Sequence, residues 1–215
     1  MARRLPVYLI LDTSHSMGGE PIRAVHDGIQ MLVNALMDTP EALETAYLSI
    51  IAFNTHAQQI LPLTELNQIV LPKFSAHGWT ALGEALKMTT ECANKEVAKN
   101  TPIVKGDWKP MVFIMSDGHA TDNLTSGIEY FQQYKWGVVV ACAVGRVQAK
   151  GLAELQAITS NVIQLDAKDS ESIKEYFKWV SQSVISNSIS VGVGKDIITN
   201  VEQLPPLPSK ISIVS

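Results

Sequence analysis

Leu5-Pro-Val-Tyr-Leu-Ile-Leu-Asp-Thr-Ser-His-Ser16 is the stretch on which the reading of the fold turns. An apolar run stops at Asp12 and hydroxyl side chains take over. Apolar residues at consecutive positions suit a strand covered on both faces, the condition of a parallel sheet between two helical layers. Arg3-Arg4 in front of the run imitates the start of a secretory leader, but Asp12 interrupts the run and no small-residue cleavage site follows. A buried first strand is the better reading.

Working outward, short β-branched runs alternate with segments of helical period, the pattern of βαβ units. The further strand candidates are Tyr47–Phe53, Gln58–Leu63, Met111–Met115, Val138–Val144 and Val162–Leu165, which with Val7–Leu11 make six. A helix with Pro21 in its first turn carries Ile22, Val25, Ile29, Leu32, Val33 and Leu36 along one stripe, the spacing that buries one face on a sheet. Others are expected after Thr80, from Asp122 as N-cap to Gly137, over Leu152–Ile158, and from Asp169 or Ser170 to about Asn187. Only Asn54-Thr-His-Ala57 joins the second and third strands, too few residues for a parallel crossover, so that pair is an antiparallel hairpin. The expected class is therefore α/β and doubly wound, Rossmann-like, with a six-stranded, mostly parallel sheet, one antiparallel edge strand and helices on both faces. Residues 1–187 form the domain. Residues 188–215 are an extension with the proline-rich stretch Leu204-Pro-Pro-Leu-Pro208, free to dock on a neighbour or on its own domain.

The composition agrees with one domain of this size: 215 residues, 46% hydrophobic, enough apolar material for a core. Charged residues make up 18%, net −4 and scattered, which leaves no basic footprint for nucleic acid. Cys92 and Cys142 are too few for a disulfide framework or a four-thiolate metal site and read as core residues of a reducing compartment. Val138–Val144, the longest apolar stretch beyond the first strand, falls far short of the roughly 20 residues that cross a bilayer. A cytoplasmic protein without membrane contact is expected.

Three polar clusters stand at strand ends or helix starts, where open α/β sheets bind ligands: Asp12-Thr-Ser-His-Ser16, Gly78-Trp-Thr-Ala-Leu-Gly83 and Ser116-Asp-Gly118. Beyond the strand, Ser14 and Ser16 can curl back with Asp12 around one point, and Thr80 and Asp117 can add two oxygens from neighbouring loops. An all-oxygen set with two carboxylates suits Mg²⁺, with Mn²⁺ acceptable, whereas zinc or copper would want sulfur or imidazole. So little negative charge leaves the metal electrophilic, and a partner's Asp or Glu can supply its sixth ligand. Each cluster alone has an ordinary explanation: a strand-ending turn, Thr80 as a helix N-cap, Ser116-Asp-Gly as a common turn. Together, and in this order, they favour one joint site.

In these residues the chain resembles the von Willebrand factor A domain with its metal-ion-dependent adhesion site, patterned Asp-x-Ser-x-Ser, a distant Thr, then a distant Asp. The resemblance covers residues 5 to about 187. It looks closest to the bacterial TerY-like group associated with tellurium resistance, through Asp12-Thr-Ser-His-Ser-Met-Gly-Gly-Glu-Pro-Ile22, Asp38-Thr-Pro-Glu-Ala-Leu-Glu44, Pro62-Leu-Thr-Glu-Leu66, Gly78-Trp-Thr-Ala-Leu-Gly-Glu-Ala-Leu86 and Asp117-Gly-His-Ala-Thr-Asp122. It implies coordination by Ser14, Ser16 and one or more of Asp12, Thr80 and Asp117, the remainder acting through water, and no catalysis. The implied partner offers a carboxylate; by analogy with TerY-like systems the partners are a protein kinase and a PP2C-type phosphatase encoded nearby. In relatives the final helix shifts with metal coordination, which here would begin between Leu165 and that helix.

Two positions depart from the pattern, His15 where the family commonly has Gly and Ala120 where it has Pro. His15, His77 and His119 all lie beside ligand positions, which raises a zinc or acid–base alternative. Trp79 is either a packing residue under the loop or a rim anchor for a partner; His15 and His119 are further candidates to face that partner. The rival activity is a Mg²⁺-dependent phosphoryl-transfer hydrolase with Asp12 as nucleophile. Such enzymes resemble Asp-x-Asp-x-Thr, and the acid–base position is here Ser14, which exchanges no proton near neutral pH.

Overall fold

The computed structural model describes residues 3–145, 147–165, 168–198, 201–209 and 211–214. Strand β1 (Leu5–Asp12) is buried at every position, as its unbroken apolar run requires. Strands β2 (Ala46–Phe53) and β4 (Met111–Ser116) flank it in parallel, in the register Leu9↔Ile50 and Leu9↔Phe113. Beyond β2, strand β3 (Ala57–Glu65) returns antiparallel. On the other side β5 (Val139–Val144) and β6 (Val162–Leu165) continue the parallel set. A seventh strand, β7 (Ile211–Val214), pairs antiparallel with β6, giving the order β3-β2-β1-β4-β5-β6-β7.

The sheet thus has seven strands and two antiparallel edges, where the sequence predicts six and one. The seventh is short and only its first residue is buried, so its apolar pattern is too weak to read beyond the prolines. Of the two destinations expected for the tail, it takes its own domain. Leu204 and Ile211 enter the core, and the buried Trp179 indole N–H donates to the Pro205 carbonyl at 2.8 Å. The last helix runs on to Gly192, past the end near Asn187 that the sequence predicts, and the Asn187 side chain accepts the Ile198 N–H at 2.7 Å.

Helices α1 (Glu20–Met37), α2 (Pro40–Thr45) and α6 (Ser170–Gly192) cover one face, packing on Leu5, Val7, Leu9 and Leu11. On the opposite face α3 (Leu82–Glu96), α4 (Leu124–Phe131) and α5 (Ala149–Ile158) pack on Tyr8, Ile10 and Phe53. Alternate side chains of β1 therefore serve two cores, the doubly wound arrangement. Helix α4 ends at Phe131, short of Gly137, and Trp136 folds back to stack on the Phe131 ring at 4.6 Å.

The order of the strands fixes the place of any ligand. From β1 the chain builds outward through β2 and β3, then crosses by α3 to β4 on β1's other side. Successive connections diverge between the carboxyl ends of β1 and β4, and the crevice they leave is where such sheets bind ligands. Asp12 ends β1, and Asp117 follows Ser116 at the end of β4.

Candidate metal centre

Asp12 is 1% exposed, and both its carboxylate oxygens are engaged. Oδ1 accepts the Ser14 N–H at 2.8 Å, the local turn that curls the loop back on the strand end. Oδ2 accepts the Ser116 hydroxyl at 2.6 Å, a contact across the β1–β4 crevice. Burial pushes the Asp12 carboxyl up to about 6; the donors Ser116 and Ser14 pull the other way, and the charge of Asp117 adds to the rise.

The hydroxyls continue the line. Ser14 Oγ lies 3.0 Å from Ser16 Oγ, and the Ser16 hydroxyl donates to Asp117 Oδ1 at 2.7 Å. The second oxygen of Asp117 takes the ammonium of Lys168. Four of the five expected residues, Asp12, Ser14, Ser16 and Asp117, thus form one hydrogen-bonded group at the switch point. Thr80 comes from the loop before α3: its Oγ1 is 4.0 Å from the position a Cβ on Gly118 would take, and its carbonyl and N–H pair with Thr121.

Thr80 is not an N-cap. That position of α3 is Ala81, which has no capping side chain, and Asp122 reaches over from the β4–α4 connection to accept the N–H groups of Gly83 at 3.0 Å and Glu84 at 2.7 Å. This corrects the expected role of Asp122 as cap of the following helix, which Asn123 performs by accepting from the Ser126 N–H. The cross-element cap leaves the Thr80 hydroxyl free of that task and ties its loop to Asp117's.

Both departures from the family pattern have structural answers. No described non-glycine residue has a positive φ, so His15 fits its loop without backbone strain. At Ala120 the N–H that a proline would lack donates to Glu154 Oε2 of α5 at 2.7 Å. His15, His77 and His119 are exposed, and among the described residues no three His, Cys, Asp or Glu side chains gather to hold a metal. The oxygen donor set fits a hard cation, not zinc through imidazole.

Trp79, at 69% exposure, stands at the rim and not under the loop. Its neighbour Gly78 adopts φ +71°, and a Cβ there would lie 2.2 Å from Thr55 Oγ1, so only glycine lets this turn close on the hairpin loop. Thr55, Trp79, Ala81, Thr121 and Asp122 line a shallow cavity beside the centre. Sequence reasoning missed three supporting residues: Ser116 as the donor that holds Asp12, Glu154 behind the Asp117 loop, and Lys168. Ser116 is legible in the sequence, since it opens the polar cluster Ser116-Asp-Gly118.

The family description of the von Willebrand factor type A domain matches residues 7–179, and the chain belongs to that family. No curated protein matches it. Among solved structures, the pilus adhesin SpaC from Lactobacillus rhamnosus GG superposes with TM-score 0.67 at 12% identity, over 86% of this chain and 31% of that one. A von Willebrand factor type A protein from Catenulispora acidiphila gives 0.64 at 15% identity, over 86% and 43%. Proximal thread matrix protein 1 from the mussel byssus, in a form with zinc occupying its adhesion-site motif, gives 0.57 at 19%, over 84% and 46%. The chain thus spans less than half the length of each of these three structures. At these identities the likeness is one of fold. No helix among the described residues is long and apolar enough to cross a membrane.

Proposed function

We propose that this chain is a non-enzymatic, metal-dependent protein-binding module. Mg²⁺, or Mn²⁺ in its place, is held by Ser14 and Ser16 together with Asp12, Thr80 and Asp117, directly or through water. The metal acts as a Lewis acid for a carboxylate that a partner protein presents. The observation that carries this reading is the hydrogen-bonded group at the switch point, in which the Ser14 amide donates to Asp12, Ser14 Oγ meets Ser16 Oγ and the Ser16 hydroxyl donates to Asp117. Trp79, His15 and His119 surround it as exposed side chains for the partner's flanks, Trp being favoured at interface hot spots.

What the chain's own residues do is hold geometry and charge. Ser116 and the Ser14 amide orient Asp12, Ser16 orients Asp117, and Asp122 ties the Thr80 loop to the Asp117 loop. As a nucleophile Asp12 is poorly served, since both its oxygens are buried under donors and Ser14 stands where an acid–base group would be needed. The flanking motifs support a place beside a protein kinase and a PP2C-type phosphatase in a tellurium-resistance or stress complex, in the cytoplasm.

The test is a pull-down with immobilised chain in Mg²⁺ and in chelator, read by mass spectrometry, with Asp12→Ala and Thr80→Ala alongside. The expected result is a partner recovered only by the wild type in Mg²⁺, whose binding is lost on replacing one Asp or Glu of its own. Equal recovery of that partner in chelator contradicts the proposal.

A further inference from the structure

Within the centre, Asp117 already has a cation. Its side chain is 0% exposed, Oδ1 is taken by the Ser16 hydroxyl, and the ammonium of Lys168 sits on Oδ2. Lys168 lies after β6, immediately before Asp169, whose side chain caps α6 by accepting from the Ser172 N–H at 2.7 Å. It reaches Asp117 across the turn that ends β5. There Gly145 adopts φ +73°, and a Cβ on it would lie 2.7 Å from Lys168 Cγ, so the missing side chain is what lets the lysine stem pass. Gln164 holds that turn by donating to the Gly145 carbonyl at 3.0 Å.

An ammonium and a hard divalent cation both seek carboxylate oxygen, and the two positive charges repel at contact distance. We propose that Lys168 is the resident cation of the centre: it neutralises Asp117 while no metal is bound, and the divalent ion binds by displacing it. This rests on the metal reading above and adds to it an internal competitor. A site that must first release Lys168 binds metal more weakly by the fraction of time the carboxylate is free. The device also keeps the buried Asp117 carboxylate compensated in the metal-free chain, which an uncompensated charge there would destabilise.

The experiment titrates Mg²⁺ and Mn²⁺ by calorimetry into the whole chain as wild type, Lys168→Met and Lys168→Arg. Methionine keeps a flexible apolar stem over Gly145 and removes the charge. Lys168→Met is expected to bind metal about tenfold more tightly, while Lys168→Arg stays within about threefold of wild type. In chelator Lys168→Met melts below wild type, and saturating Mg²⁺ closes the gap. In parallel, acylation of lysines by an amine reagent, read by peptide mass spectrometry relative to the exposed Lys178, should speed up at Lys168 when metal is added. Equal or weaker metal binding by Lys168→Met, or acylation of Lys168 indifferent to metal, overturns the inference and leaves the metal site standing. No metal binding by wild type or variant overturns both.

Discussion

Asp12 and Asp117 both give up most of their water at the same crevice, yet the two arms of the centre compensate it differently. Asp12 ends β1 and is surrounded by neutral donors, an amide and a hydroxyl, so burial dominates and raises its pKa. Asp117 follows β4 and is met by a full positive charge from Lys168. The first arm is a carboxylate waiting for a cation; the second already has one. On the proposed metal reading, a divalent ion would gain most at Asp12, where it would compensate a buried carboxylate, and would have to displace Lys168 at Asp117.

Substitutions separate the two arms. The largest effect belongs to Asp12→Ala, which should weaken metal binding by more than about a hundredfold in calorimetry, beyond the loss typical of supporting residues. Metal affinity should likewise fall as pH drops through about 6, where Asp12 takes up a proton.

The chelated chain has a pH dependence of its own. Its folded Asp12 holds a proton up to about pH 6, whereas the unfolded carboxyl loses it near the ordinary value of 3.8. Between those values the folded state binds more protons, so this group's contribution to stability falls as pH rises. Asp12→Asn removes the titration and should stabilise the metal-free chain by about 2–3 kcal/mol at about pH 7.5, measured by denaturant unfolding. A destabilised Asp12→Asn would show that the two donors on the carboxylate, one of which Asn cannot satisfy as an acceptor, outweigh the cost of its burial.

Ser116→Ala leaves the buried Asp12 Oδ2 without its donor and should cost about 1–2 kcal/mol in the same unfolding assay. The smallest effect is expected from Glu154→Gln, which keeps an acceptor for the Ala120 N–H but loses charge; a stability change below about 1 kcal/mol is expected. A larger loss would mean that the loop carrying Asp117 depends on α5 more than one hydrogen bond accounts for.

The part of the centre legible in sequence is the part made locally or fixed by strand order. Asp12, Ser14 and Ser16 are neighbours in the chain, and the switch point between β1 and β4 brings Asp117 to them. What could not be read depends on contacts that no local pattern records. Lys168 meets Asp117 across the turn that ends β5, where Gly145 leaves room for its stem. Asp122 sits where a helix cap belongs, and only the packing of α3 beside α4 shows which helix it caps. The strand at 211–214 escapes because edge pairing needs backbone, not a buried apolar face. Asp166 and Ala167, where metal-linked movement of the last helix would start, lie outside the described residues.

On the proposed reading, scattered hydroxyl and carboxylate oxygens make one site for a hard divalent ion. Titration of Mn²⁺ into chelator-stripped wild-type chain, followed by electron paramagnetic resonance of the free ion, tests it most directly. One saturable Mn²⁺ per chain is expected, displaced by Mg²⁺ and absent in Thr80→Ala combined with Asp12→Ala. A free-ion signal that rises in proportion to added Mn²⁺, with no bound fraction in the wild type, would contradict it.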